Sequence, residues 1–136
     1  MIQRIQTLYL FIVTVLQSAL LSTGIAKYIS PDGNEIILKT VSFSMLLAAL
    51  ASFTALIPAI SLFLYRKRIL QMRFNIFNSI LLVALQGFIV YYIIQGTDLI
   101  FAVQSVFPVI SLILSILAIR SILKDELRVM SQNRLR

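Results

Sequence analysis

The 136 residues include no histidine and no cysteine, so imidazole bases, thiol nucleophiles and soft metal ligands lie outside this chain's chemistry. Five carboxylates remain: Asp32, Glu35, Asp98, Asp125 and Glu126. Asp98 with Asp32 or Glu35 could form an acid–base pair, but carboxylates in short loops with no pocket signal are ordinarily solvated. No catalytic residue, cofactor or metal ligand is expected. The remaining chemistry is electrostatic. Arg66, Lys67, Arg68 and Arg73 form one compact basic loop, and Arg120, Lys124, Arg128, Arg134 and Arg136 form a basic tail. Such a face attracts anionic lipid headgroups at about 1 kcal/mol per cation. Nucleic acid is not expected, because no aromatic side chain interleaves with the tail cations to stack a base.

Three primary amides could make contacts between helices: Gln17, Gln86 and Gln104. An amide in an apolar segment has two donors and an acceptor to satisfy, so it should face protein. Gln17 and Gln86 lie near the middle of their segments, where a direct hydrogen bond between them is geometrically possible. Small and hydroxylated residues also recur at helical spacing, in Thr14, Ser18 and Ser22; Ser44, Ala48 and Ser52; Ala51, Ala55 and Ala59; and Gln104, Pro108, Ser111 and Ser115. These rows suit close helix packing, with a substrate path as the sharper alternative. Pro58 and Pro108 free the carbonyls of Thr54 and Gln104, giving kinks or, on the sharper reading, transport hinges.

The elements that must position these groups follow from composition. The chain is 60% hydrophobic and 12% charged, with a mean hydropathy of +0.97, against about 45–50% and about 25% in soluble domains. A soluble globule of this size could not bury so much apolar side chain. Four stretches, Leu8–Ile25, Ser42–Tyr65, Asn75–Ile94 and Ile100–Ile119, lack any Lys, Arg, Asp or Glu, and each approaches the roughly 20 residues a membrane helix needs. The expected architecture is all-α: one domain, residues 1–136, forming a four-helix up-down-up-down membrane bundle. Ser30-Pro31-Asp32-Gly33 makes a turn in the longest loop, about Ala26 to Val41. Gly96 can end the third helix, and Thr97 or Asp98 can cap the fourth.

Ten cations, from Arg4, the Arg66–Arg73 loop and the tail, lie on one side, and only Lys27 and Lys39 on the other. By the positive-inside rule both termini should face the cytoplasm. A competing reading takes Arg4, the run from Leu8 and the small residues of Gly24-Ile25-Ala26 as a cleaved secretory signal. The length of the apolar run favours a retained span. The tail, 120–136, should continue the fourth helix, with Ile119, Ile122, Leu123, Leu127 and Met130 as an apolar stripe and Lys124, Asp125 and Arg128 turned to water. The cationic 66–73 loop is a poor dock for that stripe.

Three blocks carry a resemblance: Met1-Ile-Gln-Arg-Ile-Gln-Thr-Leu-Tyr-Leu10, Arg68-Ile-Leu-Gln-Met-Arg73, and Lys124-Asp-Glu126 followed by Arg134-Leu-Arg136. Over its whole length the chain resembles a family of small four-span membrane proteins of the Bacteroidota, a domain of unknown function. Asn133 departs from that pattern, where an acidic residue is expected. The resemblance implies four retained spans with both ends inside, and no activity or cofactor. Two functions compete. The first is a non-enzymatic accessory or scaffold component in contact with lipid headgroups and a membrane or cytoplasmic protein partner, through Arg66, Lys67, Arg68, Arg73, Leu127, Arg128, Met130, Arg134 and Arg136. The second is a homo-oligomeric transport or channel component lined by the Gln104–Ser115 stripe.

Overall fold

The computed structural model describes residues 2–30, 34–39, 44–64, 66–96 and 99–134, with the side chains of residues 2–4, 29, 35, 99, 101 and 133 outside that description. The expected Pro31–Gly33 turn, the Thr97 or Asp98 cap and Arg136 lie outside the described residues. Helix α1 (Ile2–Ser22) leads into strands β1 (Gly24–Ile29) and β2 (Glu35–Lys39). Helices α2 (Met45–Phe63) and α3 (Arg68–Gln95) follow, then β3 (Leu99–Phe101), a 3-10 turn (Val103–Val106) and α4 (Phe107–Arg134). The fold is mostly helical, and all four helices are long and apolar enough to cross a membrane.

The helices pack as a ring in which α1 contacts α2 and α4, and α3 contacts the same two. Named bonds set their relative direction. Gln6, near the start of α1, reaches Asp125, near the end of α4. Ser44, at the start of α2, meets Tyr92, near the end of α3. Residues 68–73, read from the sequence as part of a basic loop, form the first turns of α3, so one end of the bundle gathers those turns, the α2–α3 link and the end of α4, and the other carries the strands.

The strands correct the reading of residues 26–41 as a plain loop and of Ile100 as the start of the fourth span. They form a sheet in the order β2-β1-β3, antiparallel at both seams. β-Branched and aromatic residues in Ile25–Ile29 and Ile36–Leu38 favour such strand pairing. Gly24, Ile25 and Ala26, whose small residues could suggest a processing site, are buried in β1. A Cβ on Gly24 would lie 2.6 Å from the Leu38 carbonyl oxygen, so the close approach of the two strands beside their bulge requires glycine. Ser105 ties the 3-10 turn to the sheet by donating to the Ile25 carbonyl.

At the sheet end the core is apolar, built from Leu20, Ile25, Ala26, Leu47, Ala51, Leu85, Ile89 and Ile93. Toward the basic end polar side chains join it. Gln17, Thr54, Ser61, Asn75, Asn78, Ser111 and Ser115 are fully buried there, while Phe11, Phe53, Phe63 and Ile80 are exposed. Leu10, Val13, Ile57, Ala118 and Ile122 are buried in that half too, so its core mixes polar and apolar side chains, while the many large apolar residues left exposed depart from the surface of a water-soluble protein.

Candidate functional site: a polar interior and a basic end

Gln17 sits on the inward face of α1 at the junction of the two core halves. Its amide nitrogen donates to Ser111 Oγ at 2.8 Å, and its amide oxygen accepts from Thr54 Oγ1 at 3.2 Å. One amide thus joins α1, α2 and α4. Gln86 is not its partner: α3 lies across the ring from α1, and the half-buried Gln86 has a buried, unpaired amide oxygen. Gln104 falls in the 3-10 turn rather than in the fourth helix and is half-buried. Pro108, Ser111 and Ser115 continue its row into the bundle interior. The Thr14–Ser18–Ser22 row turns away from the core, and each hydroxyl donates to a carbonyl of its own helix.

Two further positions on α3 were not singled out from the sequence. Asn75 and Asn78 are fully buried, and neither amide finds a protein partner at its nitrogen or its oxygen. Ser61 and Ser115 hydroxyls are buried and unpaired as well. The signal is the spacing of Gln71, Asn75, Asn78, Leu82, Leu85, Ile89 and Ile93, one inward stripe of three- and four-residue steps that starts polar and ends apolar.

At the basic end Asp125 is buried and accepts a 2.9 Å hydrogen bond from the Gln6 amide. It was expected to face water. Ile122, one turn before it, points into the bundle. The inward stripe of α4 is therefore Ser111, Ser115, Ala118, Ile122 and Asp125, and it leaves Leu123, Leu127 and Met130 exposed. Arg66, Lys67, Arg73, Arg128 and Arg134 are exposed and Arg68 half-buried. Arg66, Lys67, Arg68, Ile69 and Leu70 line one side of an open groove of about 470 Å³, and Glu126 and Val129 line the other. The end of α4 does approach the basic loop, through its carboxylate and an apolar side chain rather than through its cations. Among the described residues no group of acidic side chains could hold a metal ion.

A protein-family comparison matches residues 2–135 to a domain of unknown function, DUF4293. The chain belongs to the DUF4293 family. Curated proteins and solved structures give no match to this DUF4293 chain, so its chemistry has to be read from its own residues.

Proposed function

We propose that this DUF4293 protein is a multi-pass inner-membrane protein with both termini in the cytoplasm. It acts without catalysis, as an accessory or scaffold component that contacts anionic lipid and a protein partner through its basic end. Support for membrane embedding comes from four helices long and apolar enough to cross a membrane and from the large apolar side chains they expose, which suit hydrocarbon as solvent. The observation that carries the scaffold reading is the end of α4. Its last buried residue is Asp125, and every described side chain from Leu127 to Arg134 is exposed. Leu127, Val129 and Met130 put apolar area there beside Arg128 and Arg134, a combination that lies on a lipid surface or a protein groove. An oligomeric pore lined by the Gln104–Ser115 row has weaker support, because Ser111 and Ser115 are fully buried within one chain.

Deleting residues 127–136 tests this. Membrane insertion and bundle folding should persist, since Arg120 and Lys124 still hold the orientation, while complementation of a null strain should be lost. Full complementation by the truncated chain would remove the scaffold reading.

A further inference from the structure

The unpaired polar side chains of the core lie in adjacent turns of the bundle. Seventeen residues on from Ser44 along α2 is Ser61, and seventeen back from its contact Tyr92 along α3 is Asn75, so antiparallel helices put Ser61 and Asn75 at one height. Ser115 is one turn beyond Ser111 toward the basic end, and Asn78 is one turn from Asn75 toward the middle. These four residues thus occupy two neighbouring layers. On the middle side the layers are bounded by Gln17 with Thr54 and Ser111; toward the basic side the core ends at Gln6 with Asp125. Across that stretch α1 contributes fully buried Val13 and Leu10, and α4 fully buried Ala118 and Ile122, beside the polar groups of α2, α3 and α4. The bounding layers satisfy their own amides; apart from Gln86 Oε1, farther toward the sheet end, the unmet side-chain donors and acceptors among the described residues lie between them.

We propose that these two layers form an internal binding site for a small neutral molecule carrying both a hydrogen-bond donor and an acceptor. Two lines of chemistry select that class. Unmet amide nitrogens and amide oxygens are present in equal number on Asn75 and Asn78, so neither an anion nor a cation could satisfy the set. Burying two primary amides with no partner at all is unfavourable, and buried polar groups of this kind are ordinarily satisfied by ordered water or by a ligand. Water and small solutes such as urea or glycerol share the required chemistry.

The absence of native cysteine gives a direct test in the full chain, in lipid nanodiscs. Ser61→Cys and Ser115→Cys each introduce a single, nearly isosteric thiol, and Ala51→Cys places one in the apolar cluster. Infrared spectroscopy of the S–H stretch after transfer to deuterated buffer reads whether each thiol meets exchangeable molecules. The thiols at 61 and 115 should exchange at least tenfold faster than the thiol at 51. Adding Asn75→Leu and Asn78→Leu to the Ser115→Cys chain should slow its exchange to the rate at 51. Slowing of the 61 and 115 thiols by urea or glycerol identifies a solute as occupant, and no slowing identifies water. Exchange at 61 and 115 as slow as at 51, with helix content intact, overturns the site.

Discussion

Gly24 and Gly87 lack the same side chain for opposite reasons. At Gly24 an added methyl would meet Ile37 Cγ2 at 2.3 Å and the Leu38 carbonyl oxygen at 2.6 Å; the exposed isoleucine can move, but the backbone oxygen cannot. Gly24→Ala should therefore cost about 1–3 kcal/mol, as overpacking does. At Gly87, inside α3, a Cβ would meet nothing within 4 Å, so Gly87→Ala should stabilise by roughly 0.5–1 kcal/mol through helix propensity. Thermal unfolding in micelles should move in opposite directions for the two variants; a shared direction would contradict the strand pairing at Gly24. The Gln6–Asp125 bond gives a second residue-scale expectation. Gln6→Leu strands a buried carboxylate and should cost about 1–3 kcal/mol, whereas adding Asp125→Leu should recover most of that loss. A double-mutant cycle on unfolding free energy measures the coupling, and simple additivity would show that the bond contributes nothing. The burial of Gln17 was legible in the sequence, because an amide inside an apolar run must face protein. Its partners were not, since residue spacing gives height along a helix but not which helix stands alongside. Ser111 and Thr54 come from its two ring neighbours, and the expected Gln86 sits on the helix opposite.

At the scale of elements, apolar runs located the helices but misplaced several ends. α3 begins at Arg68 rather than Asn75, and α4 at Phe107 rather than Ile100. Counting unbroken apolar residues finds the part of a helix suited to hydrocarbon, and it excludes helical turns that carry charge, such as Arg68–Arg73. It also merged β3 into the fourth span, because a three-residue apolar strand has the same composition as the helix it precedes. The register of α4 shows the same limit. An apolar stripe through Ile122, Leu123, Leu127 and Met130 is available from hydropathy alone, yet the bundle takes Ile122 and Asp125 and leaves the other three outside. That choice is measurable. Ile122→Ala should destabilise by about 2–5 kcal/mol as a buried truncation, while Leu127→Gln and Met130→Gln should each stay within about 0.5 kcal/mol. Comparable losses at 122 and 127 in chemical unfolding would mean that α4 presents a different face.

For the whole molecule, the two ends differ in charge, in core chemistry and in covering. The sheet end packs an apolar core under three strands; the basic end has a core that mixes polar and apolar side chains, and carries the cations of residues 66–73 and of α4. Buried polar side chains are tolerated within a bilayer when they face protein and apolar side chains cover them, as Phe11, Phe53 and Ile80 do here. Cations at one end resist transfer across the membrane during insertion, so that end should stay in the cytoplasm. Single cysteines at exposed or loop positions can read this orientation against the cysteine-free background. Asn34→Cys, between β1 and β2, should react in intact cells with a membrane-impermeant maleimide. Arg68→Cys and Arg134→Cys should react only after permeabilisation. Each of the latter removes one of ten cations assigned to that side, too small a change to reverse the asymmetry. Labelling of position 68 in intact cells, with position 34 protected, would invert the orientation and place the α4 extension outside, away from any cytoplasmic partner.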